Sequence, residues 1–180
     1  MSALTGTLKQ LSQTFSDCDL WWYLFGAQAL IAYGFPRATA DVDVTVQPPD
    51  DLDTFLESLS ANGFLARVDD PKNFVRLSSI LPVMSKSGIP VDIVFGQSGL
   101  ESQILSRARV IDLGDVSVPV ATPEDLIISK VVAGRPQDIE DIRALHSSCR
   151  LEREYILDTL RLLEEALGVS DLVPLFEGFK

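Results

Sequence analysis

One six-residue stretch, Asp41-Val42-Asp43-Val44-Thr45-Val46, alternates strictly between polar and apolar side chains. A period of two is typical of a β-strand, because successive side chains point to opposite faces of a sheet. The valines predict one apolar face. Asp41 and Asp43 share the other face, with their backbones about 6.6 Å apart. The stretch therefore predicts a strand that places two carboxylates side by side.

The elements predicted around this strand alternate between helices and strands. In chain order they are a helix over 3–15, a strand from Trp21 to Phe25, a helix from Ala27 to Tyr33, the strand above, a helix from Pro48 to Asn62, β segments within 74–95, a helix after the Ser98 and Glu101 capping-box pattern, a hairpin around Gly114-Asp115, and helices from Pro123, from Pro136 and over 151–167. The pattern predicts an α/β (α+β) chain. A core with a short mixed sheet flanked by helices is expected in 1–120, and a helical C-terminal part in 121–180 packs on it as one compact unit.

The composition limits the classes of partner. The 180 residues carry 15 Lys and Arg against 26 Asp and Glu, a formal net charge of −11, which disfavours extended DNA binding. The 46% of hydrophobic residues suffice for a core. Two cysteines and one histidine leave little material for a zinc site. The sequence starts without a basic and apolar leader and has no apolar run of about 20 residues, so we expect a cytoplasmic protein without a membrane segment.

A third carboxylate, Asp92, interrupts the apolar stretch Pro90 to Phe95. An acid in a buried strand is costly unless it faces solvent or meets a cation. If its strand lies beside that of Asp41 and Asp43, three carboxylates converge, and oxygen ligands favour Mg²⁺ or Mn²⁺. This geometry suits two-metal phosphoryl or nucleotidyl transfer. The alternative is a strand with a solvated polar face.

Two further features lie beside the carboxylates in the sequence. The run from Trp21 to Ala27 predicts a strand, a Gly26 turn and a helix start, whose free N–H groups could hold a phosphate; the alternative is a turn that simply needs glycine. Arg37 and Thr39 precede Asp41 and would bring a guanidinium and a hydroxyl to the edge of the site. Arg37 could equally be a surface ion-pair partner.

Together these residues resemble the DNA polymerase β-like nucleotidyltransferase superfamily. The pattern G-x-x-R-x-T-x-D-x-D ends at Asp43, and a later Lys130 with Gln137-Asp138 and Asp141-Ile142 is similar to the abortive-infection (AbiEii-like) toxin, or minimal nucleotidyltransferase, branch. The resemblance spans Gly26 to Leu145.

The resemblance implies a role for each matching residue. Asp41, Asp43 and Asp92 would bind the metal, and Asp92 would also act as the general base for the incoming hydroxyl. Gly26 and the backbone of Ala27 would cradle the triphosphate. The remaining implied nucleotide-site residues are Arg37, Thr39, Lys130, Asp138 and Asp141. Lys130 would reach a phosphate, and Asp138 or Asp141 would orient Lys130 or the nucleotide. From the residues alone, Lys130 could be a solvated helix residue, and Asp138 a first-turn acid favoured by the helix dipole.

We therefore expect Mg²⁺- or Mn²⁺-dependent transfer of an NMP from an NTP to a hydroxyl on an RNA end such as that of tRNA, a protein or a small molecule. The resemblance also implies a toxin–antitoxin or phage-defence setting with a toxin or antitoxin partner. The alternative, motivated by Ala27, is a catalytically weak or inactive binding partner or nucleotide sensor. A plain structural module with solvated aspartates is a third option. A tRNA end would need only a local basic patch, for which the candidates are Arg67, Lys72, Arg76, Lys86, Arg107 and Arg109.

Overall fold

The structure, a computed structural model, describes residues 2–96 and 99–179; Ser98, the first residue of the expected capping box, lies outside them. The chain divides into two compact units, Met1–Ala121 and Thr122–Lys180. The described residues of the first unit form a seven-stranded mixed sheet with helices, and those of the second form helices alone. The predicted fold class, a mixed α/β core with a helical C-terminal part, is confirmed.

The described elements of the first unit are α1 (Ala3–Asp17), β1 (Trp22–Phe25), α2 (Gly26–Ala32), β2 (Val42–Val46), α3 (Leu52–Ala61), β3 (Phe64–Ala66), α4 (Pro71–Ser78), β4 (Ile80–Ser85), β5 (Pro90–Phe95), α5 (Gly99–Arg107), β6 (Arg109–Asp112) and β7 (Ser117–Val120). Those of the second unit are α6 (Pro123–Ala133), α7 (Pro136–Ser148), α8 (Arg153–Leu167) and α9 (Leu172–Glu177). The strand order is β3-β4-β5-β2-β1-β7-β6. β2 pairs with β5, and β1 with β7, in parallel, whereas the other neighbours are antiparallel.

The alternating pattern of β2 separates a packed face from a carboxylate face. Val42 and Val44 are fully buried, as are the residues at alternate positions of β5. Aromatic rings join the covering helices to this core: the ring of Phe55 on α3 stacks on Phe15 of α1 at 6.1 Å and meets Phe95 of β5 edge-on at 5.8 Å. Burial of these rings supplies much of the hydrophobic stabilisation of the unit. The aspartates of β2 and β5 consequently project from the other face.

The segment before β4 corrects one prediction. Residues 74–78, expected as the start of the β segments, belong to α4 instead. The side chain of Asp70 accepts a hydrogen bond from the Asn73 N–H at 3.1 Å, and Pro71 occupies the first helical turn, so a helix is nucleated there. The left-handed Ser79 (φ 57°) ends the helix. The rest of the predicted range forms β4 and β5.

The second unit is organised around α6. The Thr122 hydroxyl accepts a hydrogen bond from the Asp125 N–H at 3.3 Å, as the Thr-Pro-Glu-Asp start predicts, and Gly134 ends the helix in the left-handed conformation. α6 is buried over most of its length and packs against α7, α8 and α9. Among the helices that the structure describes, none has the length and apolar character required to cross a membrane.

Candidate active site

The register of β2 and β5 brings the three predicted carboxylates together. Asp43 lies directly opposite Asp92 in the parallel pair, so their side chains share a face of the sheet. Asp41 stands two residues before Asp43 and projects from the same face. One carboxylate oxygen from each residue lies within 4.8 Å of the other two. Three negative charges at this separation repel one another unless a cation compensates them.

Asp41 is oriented by its own loop and by α2. The hydroxyl of Thr39 donates to the Asp41 carboxylate at 2.5 Å, and the side-chain amide of Gln28 donates to the Asp41 carbonyl oxygen at 3.3 Å. Arg37 lies half-buried in the same loop. Thr39 thus touches a candidate metal ligand, as its position in the motif predicts. Gln28 was not singled out from the sequence, because a single polar residue on a short helix gives no pattern.

Gly26 lies against the carboxylate of Asp43. Its φ of +62° falls in the left-handed region, and a Cβ at this position would overlap the Asp43 carboxylate. α2 begins at this glycine, and its N-cap residue, Phe25, has no side-chain acceptor that could cap the first turn. Position 26 therefore requires glycine both for its positive φ and for its close approach to Asp43. The N-terminus of α2 consequently lies beside this carboxylate.

Arg67 contributes a positive charge to this cluster. Its Nη2 lies 3.2 Å from Oδ1 of Asp92, and the two side chains are 35% and 36% exposed. The sequence placed Arg67 only in a local basic patch. Its approach to Asp92 depends on pairing between β3, β4 and β5, which no short-range pattern in 64–67 reveals.

The second unit holds Lys130, Asp138 and Asp141 in a cluster of ion pairs. Nζ of Lys130 lies 3.1 Å from Oδ1 of Asp138 and 2.6 Å from Oδ2 of Asp141. Nε of Arg135 lies 2.7 Å from Oδ2 of Asp138. Lys130 and both aspartates are buried. Two cations therefore compensate two carboxylates, and removal of one member would leave an uncompensated buried charge.

The ionisation of Asp138 depends on this cluster. Burial alone would raise the pKa of its carboxyl, but hydrogen bonds from Arg135 and Lys130 and their positive charges outweigh burial. The net effect lowers the pKa of Asp138 below its ordinary value of 3.8. The folded state thus favours the charged form.

The donor set of the aspartate cluster fits a hard divalent cation. Its three members offer carboxylate oxygens, the ligands that Mg²⁺ and Mn²⁺ prefer. One carboxylate oxygen of each residue lies within 4.8 Å of the other two, so the three side chains could share one ion. Asp41, Asp43 and Asp92 are therefore the residues that could hold a metal.

This combination of mixed sheet, strand–glycine–helix turn and carboxylate pair defines a nucleotidyltransferase fold. A crystal structure of ANT(2")-Ia in complex with adenylyl-2"-tobramycin is similar to the chain with a TM-score of 0.63 and 13% identity, covering 93% of this chain and 100% of that one. A crystal structure of an antigenic nucleotidyltransferase-like protein from Paracoccidioides brasiliensis has a TM-score of 0.59 and 17% identity, covering 97% of this chain and 92% of that one. The crystal structure of lincomycin-bound LnuA, a lincosamide antibiotic adenylyltransferase, has a TM-score of 0.58 and 13% identity, covering 83% of this chain and 99% of that one. At these identities the likeness shows the fold.

The chain belongs to the family described as "Nucleotidyltransferase of unknown function (DUF6036)", whose model matches residues 1–163. The nucleotidyltransferase fold implied by the sequence motif is thus confirmed, whereas the DNA polymerase β-like superfamily and its abortive-infection branch stay predictions. A comparison with curated proteins gave no match.

Replacement of Gly26 by alanine tests the close approach to Asp43. Gly26→Ala adds left-handed strain, about 1–2 kcal/mol, and must also displace a carboxylate, about 1–3 kcal/mol more. Gly34→Ala is the matched control, because Gly34 also has positive φ (+88°) but no atom lies within 4 Å of its added Cβ. Urea unfolding should show the larger loss for Gly26→Ala. Equal losses in the two variants would contradict the proposed contact.

The buried cluster of the second unit predicts a pH-dependent contribution to stability. A carboxyl with a lowered folded-state pKa stabilises the fold above its unfolded pKa, and this stabilisation is lost as the pH falls through the folded pKa. Asp138→Asn should therefore cost about 3–5 kcal/mol in the free energy of unfolding at pH 7. The difference from wild type should shrink below about pH 4. Glu140→Gln, an exposed change on the same helix, is the control; a pH-independent cost for Asp138→Asn would refute this assignment.

Proposed function

We propose that the protein is a metal-dependent nucleotidyltransferase that moves an NMP from an NTP to a hydroxyl group and releases pyrophosphate. The observation that carries the proposal is the convergence of Asp41, Asp43 and Asp92 within 4.8 Å in a chain of a nucleotidyltransferase family. Three carboxylates at this distance repel one another, and a bound divalent cation would relieve that repulsion.

Each residue near the carboxylates has a defined task in this proposal. Asp41 and Asp43 hold Mg²⁺ or Mn²⁺, with Asp92 as the third ligand. A bound ion would neutralise the negative charge of the triphosphate. Thr39 keeps the Asp41 carboxylate oriented through its hydrogen bond. The oxygen of the acceptor hydroxyl bonds to the α-phosphorus while the bond from that phosphorus to pyrophosphate breaks. Asp92 accepts the proton that the hydroxyl loses.

Other residues bind the nucleotide in this scheme. The backbone N–H groups of Gly26 and Ala27 donate to triphosphate oxygens at the start of α2. Arg37 contributes positive charge at the edge of the site. Lys130 pairs with a phosphate, and Asp138 and Asp141, which bind its ammonium group, fix its position.

A small molecule is the acceptor class that we favour. The net charge of −11 opposes a long nucleic acid, and the chain matches almost the full length of ANT(2")-Ia and LnuA, whose structures contain adenylyl-tobramycin and lincomycin. An RNA end or a protein hydroxyl is the other acceptor class, and it would fit the toxin–antitoxin setting implied by the abortive-infection motif. The cytoplasm supplies the NTP in either case.

A second candidate function is nucleotide binding without transfer. The ion pair of Arg67 with Asp92 favours it, because the guanidinium occupies one of the two carboxylate oxygens that could contact the acceptor hydroxyl. Binding of an NTP with no pyrophosphate release in the presence of any acceptor would support this function.

A transfer assay tests the proposal. The protein is incubated with each α-labelled NTP, Mg²⁺ or Mn²⁺, and separately with tRNA, protein extract and a small-molecule extract. We expect label transfer with matching pyrophosphate release, reduced about 100-fold or more in Asp43→Asn and Asp92→Asn. Asp50→Asn, an exposed acid outside the cluster, is the charge-matched control. Undiminished transfer in the Asp43 and Asp92 variants would refute a catalytic role for the cluster.

A further inference from the structure

Arg67 lies in the same row of the sheet as two of the carboxylates. Its backbone N–H donates to the carbonyl of Pro82 at 2.9 Å, which extends the β3–β4 pairing by one residue. Pro82 is the partner of Asp92 across β4–β5, and Asp92 is the partner of Asp43 across β5–β2. Residues opposite one another in neighbouring strands share a face. The Arg67 side chain therefore lies on the carboxylate face and reaches Asp92 across a single strand.

Pro82, the residue between Arg67 and Asp92, is buried and has no polar side chain. It thus offers the guanidinium no competing acceptor. Both members of the Arg67–Asp92 pair are about one-third exposed, at an Nη2–Oδ1 distance of 3.2 Å. An ion pair with this exposure is weak, because solvent screens its charges. The contact can therefore be exchanged for a stronger one.

The charges of the cluster explain what the guanidinium does. The three carboxylates repel one another, and the Arg67 guanidinium offsets part of this negative charge through its contact with Asp92. Asp92 is also the carboxylate that must bind a second ion or take the acceptor proton in the proposed reaction. A guanidinium and a metal ion compete for one carboxylate, because the two positive charges repel each other when both lie beside it.

We propose that Arg67 is a positioning residue that occupies Asp92 in the free protein and competes there with a divalent cation. The first ion binds to Asp41 and Asp43, and full engagement of Asp92 requires the guanidinium to leave. Arg67 thus keeps the third carboxylate aligned and charge-balanced until the nucleotide brings its metal. This inference rests on the proposed function, since it assumes that the aspartates bind metal.

Binding of Mn²⁺ to the full-length protein without nucleotide tests this competition. The electron paramagnetic resonance signal of free Mn²⁺, recorded at low salt, gives the affinity and the number of bound ions. Arg67→Gln should bind Mn²⁺ about tenfold more tightly, because it removes one positive charge from a distance of about 6 Å from a divalent ion. Arg67→Lys keeps the charge and should restore affinity close to that of wild type.

The matched control is Arg76→Gln, which changes the net charge by the same amount. The guanidinium of Arg76 donates to the side chain of Asn73 at 2.8 Å, so we expect unchanged Mn²⁺ affinity. Urea unfolding of each variant verifies that it is folded. An Arg67→Gln affinity equal to that of wild type, or an equal gain in Arg76→Gln, would overturn the competition.

Mn²⁺ binding by Asp41→Asn tests the metal site of the proposed function independently of Arg67. If Asp41→Asn abolishes Mn²⁺ binding while Arg67→Gln leaves it unchanged, the metal site stands and the role of Arg67 is wrong. If neither wild type nor Arg67→Gln binds Mn²⁺, both the metal site and the competition are wrong.

Discussion

The parallel pairing of β2 with β5 is the interaction on which the rest of the site depends. It sets Asp43 opposite Asp92, and a shift of one residue in this register would turn one of the two carboxylates into the packed face. The buried side chains of the two strands fix the register, because Val42 and Val44 of β2 can pack only when the aspartates face away. Core packing and site geometry therefore have the same cause. Gly26 then closes the site from the β1 side, where only a residue without a Cβ fits beside Asp43.

The chain contains two groups of acids that are treated in opposite ways. Asp138 and Asp141 are buried, and each binds Lys130, so their charge is compensated within the second unit. The aspartates of the sheet retain a net negative charge even with Arg67 beside Asp92. A buried charge must be paired by the protein, whereas the charges of a partly exposed cluster are solvated by water until a ligand binds. This contrast shows that Asp138 and Asp141 stabilise their unit through ion pairs with its own cations, whereas the aspartates of the sheet are the residues proposed to bind a metal ion.

The sequence predicted those features that depend on local periodicity and capping. The alternation in 41–46, the hairpin around Gly114 and the Thr122 cap all have short-range signals, and all three occur in the structure. β3 was missed because three residues are too few to show a period of two. α4 was missed because it has only eight residues, none of them buried, and most of them were included in the range assigned to β segments. The contact of Arg67 with Asp92 was out of reach, because it depends on the order of three strands.

The central claim is that Asp41, Asp43 and Asp92 form a metal and nucleotide site. A crystal of the protein soaked with Mn²⁺ and a non-hydrolysable NTP, measured for anomalous scattering, tests it most directly. We expect a Mn²⁺ peak about 2.0–2.2 Å from oxygens of Asp41 and Asp43, with the triphosphate beside Gly26. Well-ordered nucleotide bound away from the three aspartates, with no Mn²⁺ peak at them, would contradict it.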